Sequence, residues 1–289
     1  MVRCLVVAAL MISASVMVEA QEPVQERPAQ APANFVEGYI DIESIGVPPS
    51  NLPVGSSVAY ADARRAAYLL ASRELAERLV GMYLESSTAF SDSGANEFAD
   101  KMNTRLRQVH VPGGQTLKES SYEAFQQGNR VHMVVRFQLS TALPMLMNEL
   151  APHLIKVESA LPKAEPAAAP AAETPAYDGL VVRVPGTFEP SIAPKLFNGE
   201  GKLVYGSASV AAAVLMSQGI AAQFTTTEER AKASLEAHGA RHPLVINGYL
   251  HTGNKDIDLE DPVAQQVLEE NARGHFLERG RVYIVVGGR

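Results

Sequence analysis

The chain of 289 residues has one cysteine, no tryptophan and an aromatic fraction of only 6%. The lone thiol, Cys4, leaves no internal disulfide and no cysteine metal site to be built. Missing tryptophan and scarce aromatics argue against a lectin that stacks sugars on rings. The net charge is -7, and the basic face of a nucleic-acid binder is lacking. A nucleophile elbow is lacking too, because Gly206-Ser207-Ala208-Ser209-Val210 has no second glycine. Gly113-Gly114 reads as a turn, not as a phosphate loop. His110, His132, His153, His238, His242, His251 and His275 include no pair at helical metal-binding spacing. Asn254 to Asp261 alternates acids as a calcium loop does, but Leu259 stands where glycine is needed and Gln265 where a bidentate glutamate is needed. Asp256 and Asp258 are expected on the wet face of a short strand, with Ile257 and Leu259 facing in. The expectation is therefore no catalytic residue, no metal and no cofactor.

What is present begins at the N-terminus. Arg3 precedes an apolar run from Cys4 to Val18, too short for a comfortable membrane span, and a small-x-small-like site ends at Ala20. Residues 1–20 read as a secretory signal peptide cleaved between Ala20 and Gln21, with an uncleaved anchor as the alternative. Cleavage would remove the only thiol and leave the net charge unchanged, since Arg3 and Glu19 depart together. A lipoprotein carries its lipid on a cysteine directly after the cleavage point. Gln21 stands there, so a soluble periplasmic protein is expected, associated with the outer membrane, if at all, through partners.

Composition divides the remainder. Residues 21–33, rich in Pro, Gln, Ala and Glu, have little to bury and read as a disordered arm. Residues 159–176 are a Pro/Ala stretch of the kind that forms semi-stiff linkers. Between and beyond them lie two expected domains, 34–158 and 177–289. The fold class is α+β: an alanine-rich helix on an antiparallel sheet, then a mixed α/β module.

In the first domain, Val36 to Ile42 alternates as a strand. A long helix is expected from Val58 to Val80, capped by Gly81, with Ala59, Ala63, Ala66, Ala67 and Leu70 as a low stripe that lets it lie close to a sheet. Its charges are not confined to the opposite side. Met82 to Thr88 reads as a strand and Ala95 to Arg107 as a short helix. Lys118 to Gln126 and Arg130 to Leu139 form a hairpin about Gln127-Gly128-Asn129, and Val131, Met133, Val135 and Phe137 alternate against His132, Arg136 and Gln138. Thr141 to Lys156 is helical, with a kink or stop expected at Pro152.

In the module, Gly179 to Val184 is a strand. Ile192 to Phe197 and Lys202 to Tyr205 flank a hairpin turn at Asn198 to Gly201. Helices are expected over Ser207 to Gln218, closed by Gly219, and Thr227 to His238. Leu244 to Leu250 is a strand. A last helix starts with Asp261 as N-cap and Pro262 behind it, and Arg281 to Val286 is a buried closing strand.

The block from Val36 to Gly81, with Ala59-Tyr-Ala-Asp-Ala63-Arg-Arg-Ala66-Ala67 at the helix entry and Leu79-Val80-Gly81 at its exit, resembles the flagellar basal-disk/H-ring P protein and the small outer-membrane lipoproteins of helicobacters. The resemblance covers about Asn34 to Leu139. Gly179 to Val182, Pro190 to Leu196 and Gly201 to Gly206 are similar to a module appended to this domain in some envelope proteins. The resemblance implies a non-enzymatic envelope component that oligomerises or joins a larger assembly, around the flagellum or another surface apparatus. Envelope or flagellar proteins and further copies of the chain are the implied partners.

The function expected is accordingly structural: packing through exposed strand edges and the flat alanine helix, with Arg64, Arg65 and Arg136 of the first domain as interface candidates. The alternative is a module that binds peptidoglycan or a small envelope ligand, with Arg136 or Arg183 and an acid as the couple that holds a peptide. A periplasmic hydrolase is the third reading, and it lacks a triad or metal set in the sequence.

Overall fold

The computed structural model describes residues 33–53, 55–86, 111–124, 128–167 and 175–287. The signal cleavage pair Ala20 and Gln21, Cys4, His110 and the helix expected over 95–107 lie outside the described residues.

The first unit is a three-stranded antiparallel sheet with a long helix on one face. β1 (Tyr39–Gly46), α1 (Ser57–Ser86), β2 (Gln115–Ala124) and β3 (Gly128–Gln138) follow in chain order, and the sheet order is β1-β3-β2. β3 is central because its alternating apolar face is the longest: Val131, Met133, Val135 and Phe137 are all buried. Ile40 and Ile42 of β1 join them beneath α1. Helix and sheet approach closely. Ala59, Ala63, Ala67 and Ala71 form a row of buried methyls at four-residue steps, and Ser44 donates from Oγ to the Ala67 carbonyl at 2.9 Å.

Several expectations are corrected. β1 starts at Tyr39 and runs to Gly46. Leu70 lies off the alanine row and is 42% exposed. α1 runs through Gly81 to Ser86, so Gly81 is a helix-interior residue and no strand starts at Met82. Leu75, Leu79, Val80 and Tyr83 continue the buried face across that glycine, and their burial outweighs a helix-propensity cost of about 1 kcal/mol. Gly128 and Asn129 belong to β3 already, paired with Ala124 and Glu123.

α2 (Leu139–Ser159) leaves β3 without a loop and carries on through Pro152. The missing donor and ring crowding cost about 3 kcal/mol. A long buried face on both sides of the proline (Leu143, Leu146, Met147, Leu150, Ala151, Leu154) keeps the helix in one piece. That face packs mainly on the second unit.

The second unit is the mixed α/β module. Its elements are β4 (Gly179–Val184), β5 (Leu196–Phe197), β6 (Leu203–Tyr205), a 3-10 turn (Ser207–Ser209), α3 (Ala212–Gln218), β7 (Gln223–Thr225), α4 (Glu228–Ala237), β8 (Pro243–Asn247), β9 (Tyr249–Leu250), β10 (Ile257–Asp258), α5 (Asp261–Gly274) and β11 (Val282–Val286). A four-stranded parallel sheet has the order β7-β11-β4-β8, and a smaller mixed sheet the order β6-β5-β10-β9. β4 and β11 are central, as their nearly continuous apolar runs require. One face of the parallel sheet, Val181 and Val285, meets α4 through Ala231 and Leu235. The other, with Leu180, Val182 and Ile284, enters a core that also includes residues of α1, α2 and α5.

Ser207 to Gln218 is not one helix but the 3-10 turn followed by α3, which Gly219 closes at φ 76°. Glu260, not Asp261, stands at the N-cap position of α5, without a side-chain capping bond. Asp261 is its first residue, and its carboxylate accepts from the Gly199 N–H at 2.9 Å. Within the Pro/Ala stretch, Pro162 accepts from the Leu203 N–H at 2.7 Å and Ala164 donates to the Leu203 carbonyl at 2.9 Å, so 162–164 lie along β6. Phe224 sits 5.8 Å from Phe35 and 6.1 Å from Phe188, which ties the start of the first unit to the module. The fold is α+β, two two-layer units sharing a continuous apolar core.

Candidate functional site

The long α1 positions two of the three interface candidates. Val58, Ala61, Arg65 and Leu69 recur at three-, four- and four-residue steps and project from one side of the helix. Val58 is 57% exposed and Leu69 43%. Beside them a groove of about 630 Å³ runs between α1 and the sheet, lined by Arg64, Arg65, Tyr68, Leu69, Thr116 and Met133 among others. Arg64 is fastened at its rim. Its Nε donates to both oxygens of Glu119 on β2, at 3.1 and 3.0 Å, and the Tyr60 hydroxyl donates to the same carboxylate. The Tyr60 hydrogen bond, helped by Arg64, holds Glu119 below the usual carboxylate range. Arg65 is exposed.

Arg136 lies elsewhere. It sits on the outer face of the sheet, opposite Asp41 in the β1–β3 register, and grips that carboxylate through Nε and Nη2, each at 2.8 Å. Its guanidinium stacks 3.6 Å from the Tyr39 ring centroid. His132 and Glu43 pair on the same face. The structure thus brings Arg64 and Arg65 together and places Arg136 on the outer sheet face with its charge already matched.

The module offers a different kind of concavity. At the carboxyl ends of its parallel strands a crevice of about 730 Å³ opens, lined by Arg183 and Val184 of β4, Pro185, Gly186, Thr226, Thr227, Glu228, Glu229, Asn247, Gly248, Val285 and Gly287. The topology places it there. The chain leaves β7 for α4 on one face, while the loops after β4 and β8 lead to the other elements, so the connections diverge in front of β11. Thr227 caps α4 by accepting from the Arg230 N–H at 3.2 Å. Arg183 lies 3.6 Å from Glu228, whose carboxylate is held low chiefly by Lys232. A cation, two carboxylates, two hydroxyls and an amide thus converge on one crevice.

Residues 178–288 are similar to the second domain of Treponema pallidum Tp0624, whose family model they match. The match covers nearly the whole module and none of the first unit. No curated protein matches the chain.

Asp256 corrects the reading of the acidic stretch. Ile257 and Leu259 are buried as expected, but Asp256 is also buried, at 6%, against Lys195 at 2%. Its Oδ1 accepts from the Lys195 N–H at 2.9 Å, and Lys195 Nζ lies 3.3 Å from Oδ2. The local signal for it is Lys195 itself, a lone cation inside the apolar run from Ile192 to Phe197. Asp258 is the half-exposed partner of His251, at 2.8 Å. Among the described residues no group of three or more His, Cys, Asp or Glu side chains is placed to hold a metal, and no helix is long and apolar enough to cross a membrane.

Proposed function

We propose that this protein is an exported, non-catalytic structural or assembly component of the bacterial cell envelope, acting in the periplasm by protein–protein packing and self-association. The observation that carries the reading is the outward row of α1, where Val58 and Leu69 stand exposed beside Arg65 and a groove. The buried core of an interface is more apolar than the rest of a protein surface, and arginine is enriched in interfaces. The N-terminal signal pattern supports export. The likeness of 34–139 to basal-disk and H-ring proteins supports membership of a flagellar or surface apparatus, joined through envelope proteins rather than through a membrane span. A module similar to a second domain in another chain supports modular construction.

The test is the size of the mature protein, from Gln21 onward, by light scattering across a concentration series. Oligomers that Leu69→Asp converts to monomers are expected; a monomer at every concentration would sink the proposal. Loss of motility or envelope integrity on gene deletion is expected as well, and an unaffected strain would remove the flagellar assignment.

The crevice at the carboxyl ends of the parallel strands favours a second reading, a module that binds a peptidoglycan peptide or a small envelope ligand through Arg183 and the acids of α4. A monomer that pellets with sacculi, and ceases to do so as Arg183→Ala, would favour it over the scaffold.

A further inference from the structure

The last turn of α2 carries a carboxylate into the interior. Glu158 is 1% exposed. Its Oε2 accepts from the Ala208 N–H at 2.7 Å, and its Oε1 has no hydrogen-bond partner among the described residues. Gly206 makes room for it, since a β-carbon there would lie 2.6 Å from Oε2. Ser207, fully buried, stands beside this carboxyl and acts on it through its side chain.

Each neighbouring element contributes a titratable or charged group. The module contributes Lys195, Asp256 and Tyr205, and α1 contributes Tyr83. Beyond these, His251 acts on Asp256 and Glu278 on Tyr205. Lys195 is the one cation among the groups that act on Glu158, and it is already engaged with Asp256. A second negative charge on Glu158 would be buried without a cation of its own, and that is costly. Burial pushes the Glu158 carboxyl up to about 7, against the opposing pull of the Ala208 N–H, Lys195 and the Ser207 side chain.

We propose that Glu158 is a proton-operated latch between α2 and the module. As a neutral acid it keeps the end of α2 seated on the 207–209 turn; as a carboxylate it loosens that joint. The folded protein holds a proton on Glu158 that the unfolded chain has released above its ordinary value of 4.5. The latch is therefore fully closed below that value and is lost as pH rises through about 7. Burial raises Asp256 too, with the same sign, so only a comparison that changes Glu158 alone isolates the latch.

The experiment is hydrogen exchange on the full chain, corrected for intrinsic rates, following amides of 203–210 and of α2 at pH 5 and pH 8 in wild type and Glu158→Gln. Glutamine keeps the shape and an acceptor for Ala208 but cannot ionise. Linkage gives an opening constant that rises roughly 70-fold from pH 5 to pH 8 through Glu158 in wild type, and this part is expected to vanish in the variant. An identical pH dependence in both proteins would overturn the latch. Should the variant fail to fold, carbon-13 titration of the wild-type carboxyl decides: a midpoint near 7 supports the latch and one near 4.5 overturns it.

Discussion

Gly46 of β1 lies so close to Ala63 of α1 that a β-carbon on the glycine would stand 1.8 Å from the Ala63 carbonyl oxygen and 2.5 Å from the Ala67 nitrogen. The obstacle is helix backbone, which cannot rotate aside. Gly46→Ala is expected to destabilise the protein by about 3 kcal/mol or more, read as a shift in urea midpoint. Gly38→Ala is the control. Its φ is 75° with open space around it, so only backbone strain of about 1 kcal/mol applies.

Gly81 behaves in the opposite way. It is interior to α1, and a β-carbon there would meet nothing within 4 Å. Gly81→Ala should stabilise the protein by about 1 kcal/mol through helix propensity, seen as a higher thermal midpoint. An unchanged or lower midpoint would contradict a continuous α1.

The Lys195–Asp256 pair should be strongly non-additive. Lys195→Met leaves a buried aspartate without its cation and is expected to cost about 3–5 kcal/mol, while pairing it with Asp256→Leu should recover most of the loss. Denaturant titration of the two single variants and the double variant gives the coupling directly. Costs that simply add would contradict the contact.

The acid side of the stability profile should depend on Glu119. Its folded carboxyl is held below the ordinary 4.5, first by Tyr60 and then by Arg64. The stabilisation is present above that value and disappears as pH falls through the lowered one. Tyr60→Phe should flatten the loss of stability between pH 5 and pH 3. The effect at neutral pH should be about 1 kcal/mol or less, because Glu119 is partly open to solvent and keeps Arg64 as a partner. A wild-type acid limb in the variant would count against the Tyr60 bond.

Self-association is the last expectation, and Leu69→Asp is its sharpest probe. The leucine is 43% exposed at the rim of the groove, so the variant should fold with a thermal midpoint close to that of wild type. Loss of folding in this variant would show that Leu69 belongs to the interior and not to an interface.

Much of the architecture was readable from period and punctuation. The alternation of Val131 to Phe137 marks a strand of the first sheet, and the nearly continuous apolar run that ends at Val286 marks a buried strand of the second. Gly219 and Thr227 end and begin helices where their chemistry says they should. Punctuation misled where packing outweighed it. Gly81 and Pro152 look like stops, yet both sit within helices whose buried faces continue on either side. A local cost of 1 to about 3 kcal/mol is smaller than the burial those faces provide.

The candidate sites divide in the same way. That Arg64 and Arg65 share a helix with an alanine row is a property of the sequence, because spacing on a helix is local. That Arg136 meets Asp41, 95 positions away, depends on strand register. The crevice depends on strand order, which brings residues 183, 227, 247 and 287 to one end of a sheet.

The sequence by itself determined the α+β class and most strands and helices, because these follow from neighbours a few residues apart. Only the tertiary structure decided that Asp256 goes inward to Lys195 and that Glu158 is buried beneath a turn fifty positions on. Burial of a charge is set by what else arrives at the same place, and no local pattern records that.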